Sequence, residues 1–214
     1  MAKTFAQQIK IFRAAKIINK KVSNILPTIL LPMNILKDKK FLLFTAKFLL
    51  LFALFYIGTL AVIGLSAPGR YYSPFIEKYF DYVSWIKWSL LLGSRFLLSL
   101  FGLASYIEPG FIMRGHNGNS VLLAMDCVGY GVYSFWAAFV IASGGAVIKK
   151  IKWVTGGLLL LWSINVFRIS GVLVAINNNW AVPLGIDHHT WFNIFAYVTI
   201  FTMMYFFERQ RIAD

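Results

Sequence analysis

One cysteine in 214 residues, Cys127, excludes an internal disulfide and leaves cysteine usage silent on redox compartment. Acidic side chains are scarce too: eight Asp and Glu stand against 21 Lys and Arg. Charged residues together make up 14% of the chain, where a soluble domain carries about a quarter. Hydrophobic residues make up 59%, gathered in runs too long for a soluble core, so the chain reads as an integral membrane protein. No internal repeat or low-complexity segment is present. No short apolar core with a small-residue cleavage site follows the basic amino terminus, which argues against a removable signal peptide.

The net charge of +13 invites a nucleic-acid partner, but its distribution argues for lipid. Nine of the 21 basic residues lie within residues 1–40, opposed there only by Asp38. Others punctuate the ends of apolar runs, at Lys149, Lys150, Lys152, Arg209 and Arg211, as cytoplasmic anchors do. Within residues 3–22, Phe5, Ile9, Phe12, Ile17 and Ile18 stand among Lys10, Arg13, Lys16, Lys20 and Lys21. That pattern predicts an amphipathic helix on the inner leaflet, with membrane lipids as partners. Residues 1–36 therefore form one unit and residues 37–214 an integral membrane domain. Residues 23–36, broken by Pro27 and Pro32, are too short to span.

Apolar spans are predicted at about Phe41–Ser66, Val83–Leu103, Cys127–Val147, Trp153–Ile176 and His189–Phe207. The expected architecture is an all-α polytopic bundle of about five to six spans, with a small irregular outer layer over residues 105–126, where 105–120 read as a loop with short extended pieces. Lys149, Lys150 and Lys152 place the third connection inside, and Arg209 and Arg211 do the same for the tail. Cys127, the carboxy end of the fourth span and His189 then face outward. A basic amino terminus inside conflicts with this if Val83–Leu103 crosses once. The outward placement requires that this segment cross incompletely, or that part of 22–36 or 67–82 cross or re-enter.

Polar and ionisable groups at bilayer depth are functional candidates. Asp126 is a good amino-cap residue, which predicts a helix beginning at Cys127 and a thiol at the positive end of its dipole. The competing reading is an inert buried cysteine. Arg168 interrupts an uncharged run, SINVFRISG, with Asn165 one turn away. Such a cation can stabilise a thiolate or an oxyanion, or serve a structural pair or the outer surface. His188 and His189 are each placed to act as base. A metal site at Asp187-His188-His189 lacks a complementary acid on another span, and no cofactor is indicated.

These residues, in order, resemble the exosortase/archaeosortase superfamily. The motifs are Cys127-Val128-Gly129, Asn165-Val166-Phe167-Arg168-Ile169, and His189 four residues before Asn193, spread over about residues 90–207. The resemblance implies a membrane-embedded cysteine protease or transpeptidase of the extracytoplasmic face of the cell membrane. Its partners would be exported proteins carrying a carboxy-terminal signal: a short motif, a transmembrane helix and a basic tail. It further implies Cys127 as nucleophile, Arg168 as charge stabiliser and His189 as acid/base, with an acyl-thioester passed to a surface acceptor or water. A second reading is a non-enzymatic scaffold for surface glycan or protein export. A small transporter ranks last, because the polar residues crowd at one end of the spans.

Overall fold

The computed structural model describes residues 38–69, 71–180 and 188–213; the amphipathic segment expected over residues 3–22 lies outside them. The chain divides between Lys47 and Phe48 into two units. Of the first, the described part is the opening of helix α1, where the Lys40 amide donates to Asp38 Oδ1 at 2.9 Å.

The described residues are mostly helical. α1 spans Lys39–Ser66, α2 Pro74–Phe80, α3 Tyr82–Leu100, α4 Tyr130–Ala142, α5 Val147–Asn177 and α6 His188–Ala213. α1 and α5 are long and apolar enough to cross a membrane. At ~1.5 Å per residue they measure about 42 and 46 Å, against about 30 Å of hydrocarbon. α1 reverses the soluble pattern. Its buried residues are Thr59 and Ser66, while Leu49, Leu50, Leu54 and Ile57 are exposed.

Residues 105–122 are more ordered than the irregular layer expected, so the fold is not purely α. Strands β1 (Ser105–Glu108), β2 (Ile112–Gly115) and β3 (Ser120–Leu122) form an antiparallel meander. Its register pairs Tyr106 with Arg114 and Met113 with Val121. Gly110 and Gly118, both at positive φ, make the two reversals possible. Arg114 clasps Glu108 through Nε at 2.7 Å and Nη2 at 2.9 Å, and its Nη1 donates to Gly118 O at 2.6 Å. Met113 and Leu123 carry the sheet's apolar side into the core.

Helix directions follow from side-chain contacts. Tyr56 of α1 stacks on Tyr130 at the start of α4, and Phe48 meets Phe135 further along, so α1 and α4 are antiparallel. Trp136, Trp153 and Phe207 interlock α4, α5 and α6. Gly157 admits the Trp136 indole, whose Nε1 donates to Trp153 O at 3.1 Å. At this end Lys150 Nζ donates to Ile141 O at 3.0 Å, capping the end of α4.

Two expectations need correction here. Lys149, Lys150 and Lys152 lie in the opening turns of α5 rather than in a loop, because the break comes earlier, at Ser143–Ala146, with Gly145 at φ 118°. The span expected over Cys127–Val147 is a helix of 13 residues, about 20 Å long, because Gly129 delays its start.

α3 packs parallel to α5 through small residues. Gly93 makes room for Trp162, whose Nε1 donates to Ser89 Oγ at 3.0 Å, and Ser94 Oγ donates to Val166 O at 3.3 Å. Its start is tied to the carboxy-terminal half of α1, where Tyr82 and Thr59 hydroxyls lie 2.7 Å apart. Its end adjoins Leu173 and Asn177. Its pairings with α5 thus step from Ser89–Trp162 through Ser94–Val166 toward Leu173 as the two helices run alongside each other.

Candidate active site

Met125–Val128 form one 3-10 turn, closed by the Cys127 amide donating to Ala124 O at 3.1 Å. Gly129 then adopts φ 80°, a left-handed conformation that suits glycine, and α4 starts only at Tyr130. Cys127 thus precedes the helix, and Gly129 rather than Asp126 occupies the amino-cap position. The expected dipole effect on the thiol does not apply. The turn instead leaves two carbonyls, Cys127 O and Val128 O, pointing away from α4.

Asn165 meets both. Its buried Nδ2 donates to Cys127 O at 2.9 Å and to Val128 O at 3.1 Å. One turn along α5, Arg168 completes the cluster. Its Nη1 donates to Cys127 O at 3.3 Å and to Asn165 Oδ1 at 3.4 Å, and its Nη2 donates to Cys127 Sγ at 3.3 Å. Three residues singled out from the sequence converge here. The role of Asn165 is sharper than expected: it is a clamp on the cysteine turn as well as a neighbour of the cation. The sulfur itself is buried, with 7% of the residue exposed, among Val128, Val166 and Ile169. A guanidinium fixed at a sulfur by two oxygen acceptors is preorganised to share negative charge there, or on an oxyanion formed beside it.

The backbone of His188 and His189 opens α6 at this same end of the bundle. Further down α6, Ala196 borders a small gap with Gly129 and Tyr133, and Phe207 reaches the opposite end. The side chains of Asp126, His188 and His189, and the whole of Asp187, lie outside the described residues. Among the described residues no group of three or more His, Cys, Asp or Glu converges to hold a metal.

Two features escaped the sequence reading. Lys87 is 5% exposed, on the inward face of α3 with Val83, Leu90, Leu91, Ser94 and Leu98. The spacing of those positions was the available signal, since it puts the lysine on the apolar stripe. The second is a cleft of about 310 Å³ between sheet and helices, lined by Leu98, Ser105, His116, Asn117, Leu173 and Asn177 among others. Ser105 Oγ and Asn177 Oδ1 are buried there without a hydrogen-bond partner among the described residues.

No protein-family model, curated protein or solved structure matches the chain.

Proposed function

We propose that this chain is an integral membrane cysteine protease or transpeptidase of the exosortase/archaeosortase type, working at the extracytoplasmic face on the carboxy-terminal sorting signals of exported proteins. The observation that carries the reading is the hydrogen bond of Arg168 Nη2 to Cys127 Sγ at 3.3 Å, within a cluster held by Asn165. A purely structural arginine would be satisfied by carbonyls and amides, whereas this one also reaches the only thiol.

Membrane integration is supported by α1, where Leu49, Leu50 and Leu54 are exposed while Thr59 and Ser66 are buried. On this reading α1, α4, α5 and α6 cross and α3 does not cross fully. Four crossings, fewer than the five to six expected, put both termini inside and Cys127 outside. That count is the one that places both a basic amino terminus inside and Cys127 outside.

In the proposed reaction the Cys127 thiolate attacks the scissile carbonyl carbon, forming a C–S bond and an oxyanion. Arg168 stabilises that charge as it moves from sulfur to oxygen. The C–N bond then breaks, and His189, as imidazolium, protonates the departing amine. The resulting thioester is attacked by an acceptor amine or water, whose proton returns to His189, and the thiolate leaves.

The test is cleavage of an exported reporter carrying a carboxy-terminal helix and basic tail, with Cys127→Ala, His188→Ala and His189→Ala compared at equal protein levels. Loss with Cys127→Ala and His189→Ala, and activity with His188→Ala, is expected. Full processing by Cys127→Ala would leave the scaffold reading instead.

A further inference from the structure

Lys87 is a buried cation that the mechanism above does not use. Its helix packs directly on the Met125–Val128 turn, and its neighbours Val83, Leu90 and Leu91 belong to the same core cluster as Cys127. Its ammonium nitrogen lies 4.6 Å from the centre of the Phe111 ring, which also meets Trp88 edge-on at 5.8 Å. Phe111 adopts φ 63°, a conformation that L side chains rarely take, at the reversal between β1 and β2. Its carbonyl accepts from the Leu123 amide at 2.9 Å, two residues before the cysteine turn begins. Strained backbone persists where the surroundings impose it, and it clusters at functional sites. Here the strain sets an aromatic face over an ammonium.

Among the described residues, Asp81, which caps α3 by accepting from the Ser84 amide at 3.1 Å, and Cys127 interact with it electrostatically. Facing Cys127 are Arg168 from α5 and Lys87 from α3, with Asp126 as its chain neighbour and His189, on the proposed mechanism, from α6. The meander contributes the uncharged Phe111.

We infer that Lys87 is a positioning residue for Cys127: a second fixed cation, held by Phe111, that with Arg168 keeps the sulfur as a thiolate. The inference rests on the reading of Cys127 as nucleophile, but its test needs no substrate. Because the chain has one cysteine, alkylation of the full-length protein in detergent by iodoacetamide, followed by intact mass, reports this sulfur alone. Rates are measured from pH 5 to 10. Lys87→Met, which keeps length and loses charge, should move the half-point of the profile upward by about one pH unit. Lys87→Arg should stay near wild type, and Phe111→Leu should move partway. A lysine that only fills space would alter rates or melting without moving the half-point. Coincident Lys87→Met and wild-type profiles, or an equal shift in Lys87→Arg, would overturn the inference. If Lys87→Met does not fold, a Phe111→Leu profile coincident with wild type would do the same. A shifted profile in a protein that cleaves no sorting signal would retire the protease reading and keep the two-cation site. Coincident profiles in an active enzyme would do the reverse.

Discussion

Asn165 and Arg168 hold the cysteine turn with different chemistry, and their variants should fail differently. Asn165→Ala leaves two buried carbonyls short of a donor, so it should destabilise the protein by about 1–3 kcal/mol, read as a lowered melting temperature in detergent. Arg168→Ala removes the charge at the sulfur and should reduce reporter cleavage by about 10²–10³-fold at near-normal stability. Arg168→Lys keeps a cation but cannot reach Cys127 O, Asn165 Oδ1 and Sγ together, so it should rescue little. The sequence made these residues legible because a guanidinium and an amide in an apolar run are costly without a purpose. Lys87 was less legible because it stands near the start of its stretch, where a lysine is an ordinary interfacial anchor. Its burial depends on the hairpin that folds back over it.

The 3-10 turn is the element that sets the sulfur's direction, and Gly129 ends it. Gly129→Ala would place a side chain at φ 80°, costing about 1 kcal/mol and rotating the turn against its clamp. We expect cleavage to fall more than the melting temperature implies. The meander carries a pH signature. Hydrogen bonds from Arg114 hold the Glu108 carboxyl below the usual carboxylate range. A depressed carboxyl contributes its stability above the unfolded value, about 4.3, and loses it as pH falls through the lower folded value. Amide exchange in β1 and β2 should therefore quicken below about pH 4, and Glu108→Gln should abolish that dependence. Only a loop with short extended pieces was expected over residues 105–120, and the 3-10 turn was not expected at all. Strands of three or four residues separated by Pro109-Gly110 and His116–Asn119 show too little alternation to count. Asp126 looked like a helix cap because sequence alone does not reveal that Gly129 turns left-handed.

At the scale of the molecule, the proposed topology unites the basic ends with the outward-facing leucines of α1. Apolarity and length made α1 and α5 legible as spans. Tilt and depth depend on packing between helices, so the path of α3 was not. In a Cys127→Ala background, Asn117→Cys should react with a membrane-impermeant maleimide added outside intact cells, and Lys150→Cys should react only after lysis. The opposite pattern would invert the topology. The central claim is the covalent chemistry of Cys127, and trapping its thioester tests it most directly. Wild-type protein incubated with a peptide bearing the sorting signal should gain the mass of the acyl fragment. Hydroxylamine should remove that adduct, and Cys127→Ala should never form it. Cleavage of the peptide with no adduct on Cys127, or by Cys127→Ala at the wild-type rate, would contradict the account.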